Sequence, residues 1–379
     1  MKITVLTPDM SHNCLSRAYA LAEMLRRRHD VEIAGPIFGE GIWPPLANGG
    51  SIPYKTVKVR GSFTSAQVLA LRRQVEGDVV YASKPRFPSF GLGVLLKVAR
   101  RVPLVLDMDD WERGFILEDR RISRPRDLRS ALSDAVYDVT VSVNEALPGL
   151  ADRLTVANTF LQRRFGGTLV WHARDTEAFR PDRFSREDVR EEHGIEPDER
   201  VVMFSGSPGP YKGVEELIDS VRRIPDPRVT LALVGIPDGT PFGVHLREIG
   251  GTLGRRFHGF GRQPFDKMPE FLAMADLVVI PQRRSYATIG QVPAKVFEAM
   301  AMAKPILATA VSDLPYILRD CGWVIEPGDV EEMSRAIQAI LADEDTAIRT
   351  GARAREKCVR EFSRDAMEPV LVEVFRRYE

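Results

Sequence analysis

The sequence predicts an α/β protein made of two doubly wound halves, and three observations carry that prediction. Short runs rich in Val, Ile and Leu stop at Gly, Pro, Asp or Asn, as buried parallel strands do. Longer stretches of helical period lie between those runs. The alternation begins afresh near residue 200, and 379 residues exceed what one ordinary core encloses.

In the first half, Ile3–Thr7, Val31–Gly35, Val79–Ser83, Leu104–Met108, Val139–Val143 and Leu169–His172 read as strands. Amphipathic segments such as Leu15–Arg28 and Ala66–Val75 separate them as helices. The second half offers Val201–Gly206, Val229–Gly235, Phe257–Gly259, Leu277–Pro281, Pro305–Thr309 and Trp323–Glu326. Between the halves, Ala173–Phe184 is rich in Arg, Asp and Pro and has no apolar period, so it is the expected hinge. A ligand cleft is expected between the two domains.

Composition narrows the class. With 44% apolar and 28% charged residues the chain reads as globular rather than disordered. The longest uncharged stretch, Gly41–Tyr54, is interrupted by Pro44, Pro45, Gly49 and Gly50 and is no candidate for a membrane-spanning helix. After Lys2 only a short apolar run precedes Pro8 and Asp9, so no secretory segment is read and a cytoplasmic location is expected. Cys14, Cys321 and Cys358 are too widely spaced for a disulfide framework or a zinc site and read as structural thiols. Zero net charge without interleaved aromatic and basic residues argues against a nucleic-acid partner.

The charge is nevertheless polarised. Residues 1–170 hold 24 Lys plus Arg against 18 Asp plus Glu. Arg113, Arg120, Arg121, Arg124, Arg126 and Arg129 form much of that excess. They read either as a solvated face or, across Arg113–Arg129, as a peripheral contact with an acidic acceptor or the inner face of an anionic membrane.

Three segments carry chemistry. In Leu277–Leu314 an irregular loop leads into a helix with Pro293 in its first turn, Lys295 beside it and Glu298 three residues on. Helix amides and the lysine suit a phosphate, and the carboxylate suits a ribose diol; the alternative is a surface Lys295–Glu298 salt bridge. In Val201–Ser220, Gly206, Ser207 and Gly209 allow the backbone to approach an anion, with Lys212 at the helix start. It is not a Walker loop, because Tyr211 and Gly213 flank the lysine. Here the alternative is a helix-capping surface lysine. In VPLVLDMDDWERGF, Asp107, Asp109 and Asp110 close a buried strand. They read as a metal-binding D-x-D, as a phosphatase nucleophile motif, as a cleft-side pair Asp109 and Asp110, or as caps of the turn at Trp111.

The stretch FEAMAMAKPILAT resembles the EAMA-G-x-P-V segment of the retaining family-four glycosyltransferases, also called group 1. The resemblance runs over almost the whole chain and is strongest from Val201 to Gly328. It implies the GT-B fold, two Rossmann-like domains facing across a cleft: 1–173 plus 361–379 for the acceptor, and 174–360 for the nucleotide sugar. A last helix from about Phe362 to Tyr378 would return to the first domain. Gly206, Ser207, Gly209, Lys212, Val292, Lys295 and Glu298 are then donor residues. Asp109 and Asp110 lie on the reacting side, where the family carries a His-Asp pair.

Ser11, His12 and Asn13 occupy the loop where the family has a Gly-Gly pair, with His12 binding acceptor or capping the helix. The chain departs from the family at Gly290, where the first Glu of E-x(7)-E would stand, and at Ser207, where an Arg is expected. Arg283, Arg284 and Lys295 are candidates to replace that Arg. VWHARDTEAFRPD resembles the family's interdomain strand and linker, with His172 and Arg174 in unusual positions. The expected activity is metal-independent, retaining transfer without a resident cofactor. The donor is a nucleotide sugar, UDP-sugar ahead of GDP-sugar, and the acceptor a carbohydrate or lipid-linked hydroxyl, the enzyme being a monomer or homodimer. A nucleotide-sugar epimerase of the same fold, or a degenerate binding subunit, is the alternative.

Overall fold

A computed structural model describes residues 1–47, 52–61, 63–122 and 128–379, without the side chains of Ile122 and residues 128–133. Gly49, Gly50, Arg124 and Arg126 lie outside the described residues, as does the side chain of Arg129. The chain forms two compact units. One comprises Met1–Ala173, Ile289–Val292 and Arg364–Glu379; the other comprises Arg174–Thr288 and Pro293–Ser363.

The first unit is a parallel sheet of β1 (Lys2–Leu6), β2 (Asp30–Ile37), β3 (Tyr54–Lys58), β4 (Val79–Ser83), β5 (Leu104–Met108), β6 (Arg153–Val156) and β7 (Thr168–Leu169), in the order β3-β2-β1-β4-β5-β6-β7. Every residue of β4 and β5 is buried, which is why their sequences run apolar without alternation. The second sheet has β8 (Arg200–Ser205), β9 (Val229–Ile236), β10 (Phe257–Gly261), β11 (Leu277–Ile280), β12 (Ile306–Thr309) and β13 (Trp323–Ile325), in the order β10-β9-β8-β11-β12-β13. Strand order reverses between β1 and β4 in one sheet and between β8 and β11 in the other. Doubly wound sheets bind ligands at that crevice, beyond the strands' carboxyl ends.

The expected strand Val139–Val143 is instead part of a helix, Leu128–Ala146. Its β-branched residues favour a strand only weakly, and tertiary packing overrides that preference. Val141 and Glu145, four apart, turn inward, while Val136, Val139 and Val143 are exposed. Strands β3 and β6 were not expected. One is a half-exposed edge strand spelled YKTVK, and the other opens on an arginine and is four residues long. The unit boundaries also differ from expectation: the chain returns to the first unit at Arg364, and Ile289–Val292 belongs to the first unit instead of the second. Within that unit the Gly290 carbonyl accepts from Trp111 N and Asn158 Nδ2, both at 3.0 Å.

Asp107 is a structural residue. Arg17 reaches it with two hydrogen bonds of 3.0 and 2.8 Å, and donates also to the carbonyls of Val170 and Trp171. Thr155 Oγ1 donates to the same carboxylate at 2.7 Å. Removing one partner of so buried a pair costs roughly 3–5 kcal/mol, enough to make this network an anchor for the strand ends. The D-x-D and phosphatase readings fail here, because Asp107 is committed to Arg17.

Candidate active site

At the crevice of the first sheet, Lys84 follows β4 with a left-handed backbone, φ 69°. Such a conformation costs a non-glycine residue about 1–3 kcal/mol and persists where its surroundings hold it. Its Nζ lies 2.7 Å from Asp109 Oδ1, 2.7 Å from Asp110 Oδ2 and 3.1 Å from Glu112 Oε1. Arg86 completes the cluster at 2.5 Å from Glu112 Oε2, and Gln291 Nε2 donates to Asp110 Oδ1 at 2.8 Å. The three carboxylates each bring an oxygen within 4.8 Å of the others, a spacing that would also hold a metal ion. In this structure the cation among them is an ammonium.

The electrostatics follow from that crowding. Burial works against the charge of Lys84, but the three carboxylates outweigh it and hold the ammonium well above the usual lysine range. Burial pushes Asp109 up to about 6, with help from Asp110 and Asp107. Burial opposes ionisation of Asp110 too, yet contact with Lys84 and the Gln291 hydrogen bond draw it down to about 2. One carboxylate of the pair thus ionises easily and its neighbour reluctantly.

Neither aspartate caps the turn at Trp111. That role falls to Glu145, which accepts from Trp111 Nε1 and from Arg113 N, both at 2.9 Å. The Ser11–Asn13 loop is organised by Asp9, whose Oδ1 accepts from Ser11 N and Oγ. Ser11 Oγ in turn accepts from Gly39 N. His12 and Asn13 are exposed, and their carbonyls accept the first helix amides. The helix Leu15–Leu25 has Cys14, two residues after His12, as its N-cap, and the Cys14 side chain makes no cap hydrogen bond. The Cys14 thiol feels the charges of Lys84 and Arg86, which puts this loop beside the carboxylate cluster.

The second unit presents a different surface. Gly206 leaves β8 with φ 94°, a conformation that favours glycine, and a side chain there would meet Lys295 Cε and Nζ at 3.4 Å. Gly209 is extended and adds no such requirement, contrary to expectation. Ser207 is exposed, and Lys212 closes a short turn before Gly213. The helix expected to open on Pro293 starts later: Ala294 is its N-cap and Lys295 its first residue.

Lys295 is half-buried, but its Nζ is shielded and has no hydrogen-bond partner among the described residues. It lies 3.4 Å from the centroid of the Phe204 ring. Burial and the nearby charge of Lys212 push its basicity well below the usual lysine range. The expected alternative of a Lys295–Glu298 salt bridge does not form. Glu298 pairs with Arg174 instead, at 2.9 Å, both side chains being 11% exposed.

Other buried polar atoms of this unit have no hydrogen-bond partner among the described residues, and at the crevice these include Ser205 Oγ at the end of β8 and both amide atoms of Gln282 just past β11. These strands flank the reversal in strand order. Buried polar groups are almost always satisfied, so three such residues at one crevice mark a place for a polar ligand.

Sequence reasoning missed Lys84, Gln282 and Ser205, since a single Lys, Gln or Ser after a strand carries no motif. Arg174 was noted only as unusual. Val292, an expected donor residue, is buried in the first unit and its side chain offers no hydrogen bond. Gly290 has no room for an acid: a Cβ there would stand 2.4 Å from Trp111 Cβ. Of the three cations offered for the missing arginine, Arg283 is held by Glu215 and Glu216, and Arg284 by Glu326 and the Ala310 carbonyl. The three cysteines are buried and free. Among the described residues no helix is long and apolar enough to cross a membrane.

Residues 185–357 match the family model described as Glycosyl transferases group 1. A D-inositol 3-phosphate glycosyltransferase of Nocardia farcinica is 28% identical over 273 residues, 66% of this chain and 58% of that protein. The matched stretch covers between half and two thirds of the length of this and other curated relatives. Anabaena HepE, solved with UDP and glucose, has a TM-score of 0.78 at 21% identity over 99% of both chains. Sucrose-phosphate synthase from Thermosynechococcus elongatus has a TM-score of 0.77 at 19% identity, covering 100% of this chain and 98% of that one. Residues 185–357 are thus similar to the group 1 glycosyltransferases, and the two doubly wound units have the GT-B fold.

Proposed function

We propose that this protein is a retaining glycosyltransferase that takes a nucleotide sugar, a UDP-sugar ahead of a GDP-sugar, and works without a metal ion. The observation that carries this reading is the set of unpartnered polar atoms on Ser205, Gln282 and Lys295 at the crevice of the second sheet, within the group 1 segment. Lys212 and Lys295 would hold the diphosphate, with the backbone of Gly206, Ser207 and Gly209 alongside. Glu298, oriented by Arg174 through Oε1, would accept from the ribose hydroxyls. HepE's complex with UDP and glucose favours uridine as the base.

In the reaction proposed, the bond between the sugar's anomeric carbon and the diphosphate oxygen breaks. The acceptor hydroxyl oxygen bonds to the same face of that carbon, and its proton passes to the departing phosphate. Cations fixed beside the diphosphate stabilise the charge that develops there, so no covalent nucleophile is assigned. Asp109 and Asp110 would receive hydroxyls of a carbohydrate or lipid-linked acceptor, with Ser11, His12 and Asn13 shaping specificity. Lys84 already supplies the positive charge those carboxylates require, which supports metal-independent transfer.

The test incubates the protein with UDP-, GDP-, ADP- and TDP-sugars, in EDTA or magnesium, and follows free nucleotide by chromatography. Release from one donor that survives EDTA and is lost in Glu298→Ala supports the proposal. Strict dependence on magnesium overturns its metal-free part. Binding without release, with every acceptor tried, would instead favour a binding subunit, a reading to which the crowded Gly290 lends weight; a rearranged donor sugar would point to an epimerase.

The first unit is also proposed to touch an anionic membrane. On the helix Leu128–Ala146 the exposed side chains Val136, Val139 and Val143 share one face, and Arg120 and Arg121 are exposed on the helix before it. Arg120 is paired with Asp138 and Arg121 with Glu118, so the electrostatic part of this attraction is small. Vesicle sedimentation that does not respond to anionic lipid would remove this contact.

A further inference from the structure

We propose that Lys295 takes up a proton as the donor's diphosphate binds, entering the complex as the second phosphate cation in place of the arginine absent at Ser207. This deepens the nucleotide-sugar reading above and rests on it.

The geometry leaves Lys295 without an ion-pair partner among the described residues. Its Nζ is shielded from solvent and makes no hydrogen bond, and beside it stand the Phe204 ring and the Gly206 backbone. Two charged groups act on it from the surrounding elements. Lys212, from the turn after β8, repels a positive charge. Glu298, on the same helix, attracts it, but that carboxylate is already in an ion pair with Arg174. A cation so placed is costly, and a buried lysine relieves the cost by releasing its proton. The depressed basicity of this amine agrees with that expectation.

A nucleoside diphosphate changes the balance. Its oxygens would bring negative charge against Lys212 and the Gly206 turn, and the favoured state of Lys295 becomes the ammonium. One proton moves from solvent or buffer to Nζ per nucleotide bound; no covalent bond is made or broken. Arg283 and Arg284 cannot take this part without giving up their acidic partners.

The experiment is isothermal titration of the whole protein with UDP at about pH 8, repeated in buffers of different ionisation enthalpy. Because the heat of buffer deprotonation enters in proportion to protons taken up, the dependence gives their number directly. The expected result is an uptake approaching one proton in the wild type. Lys295→Met should bind UDP at least tenfold more weakly with no uptake. Lys295→Arg, whose guanidinium keeps its proton, should bind without uptake. A thermal melt of each variant identifies any that fails to fold. Binding of UDP with a buffer-independent heat overturns the proton linkage and leaves the nucleotide site standing. Failure of folded wild-type protein to bind UDP, GDP, ADP or TDP overturns the site itself and the linkage with it. Uptake that persists in Lys295→Met assigns the proton to another group and likewise overturns the inference.

Discussion

Lys84 and Lys295 both bring a shielded side-chain nitrogen to the crevice where a sheet reverses its strand order, yet they stand in opposite electrostatic states. Lys84 is enclosed by Asp109, Asp110 and Glu112, and its charge is secured. Lys295 faces an aromatic ring and a second lysine, and the acid that acts on it, Glu298, is paired with Arg174. The difference teaches how to tell a finished site from a waiting one. A buried lysine whose partners all come from the chain belongs to the architecture of its unit, whereas one left unpaired awaits an anion from outside.

The sharpest way to break this comparison is to remove each lysine. Lys84→Met leaves three carboxylates crowded without their cation, and a loss of roughly 3–5 kcal/mol of stability is expected in denaturant unfolding. An unchanged midpoint would show that the cluster is satisfied without Lys84.

A smaller effect concerns the pH dependence of the first unit. Asp109, held up to about 6, binds its proton more tightly in the folded protein than in the unfolded chain, where an aspartate titrates near about 4. Its contribution to stability is therefore present in acid and lost as pH rises from about 4 to 6. Asp110, drawn down to about 2, runs the other way, contributing above about 4 and losing that contribution as pH falls towards 2. Asp109→Asn should flatten the loss between pH 4 and 6 and cost within about 1 kcal/mol at neutral pH. A pH–stability curve unchanged by this substitution would mean that Asp109 titrates normally.

The smallest expected effect is the one with the opposite sign to Lys84→Met. Lys295→Met exchanges an unpaired amine for an apolar side chain of similar length, so the stability of the free protein should stay the same or rise by up to about 1 kcal/mol. A drop comparable to that of Lys84→Met would show that Lys295 has a structural partner and would dissolve the contrast.

Much of the fold was legible because its signals are local. Continuous apolar runs such as those of β4 and β5 declare a strand buried on both faces. The misread segment, Val139–Val143, shows where local preference loses: β-branched residues sit in a helix whose packing overrides their tendency to extend. Of the candidate site, Lys212 and Glu298 stood out by their place in motifs. Lys84 and Gln282 did not, because what distinguishes them is the company they keep in space.

The sequence by itself determined the two-unit α/β architecture, the group 1 segment and the absence of the usual Glu and Arg at Gly290 and Ser207. Tertiary structure alone decided that Gly290 is closed against Trp111, that Asp107 belongs to Arg17, and that Glu298 is paired with Arg174 while Lys295 Nζ has no hydrogen-bond partner among the described residues. The physical reason is range. Hydrophobic periodicity and turn chemistry act over a few neighbouring residues and can be read along the chain. The charge state of a buried group is set by desolvation and by partners far along the chain, 90 residues apart for Arg17 and Asp107 and 181 for Asp110 and Gln291, and exists only once the chain has folded.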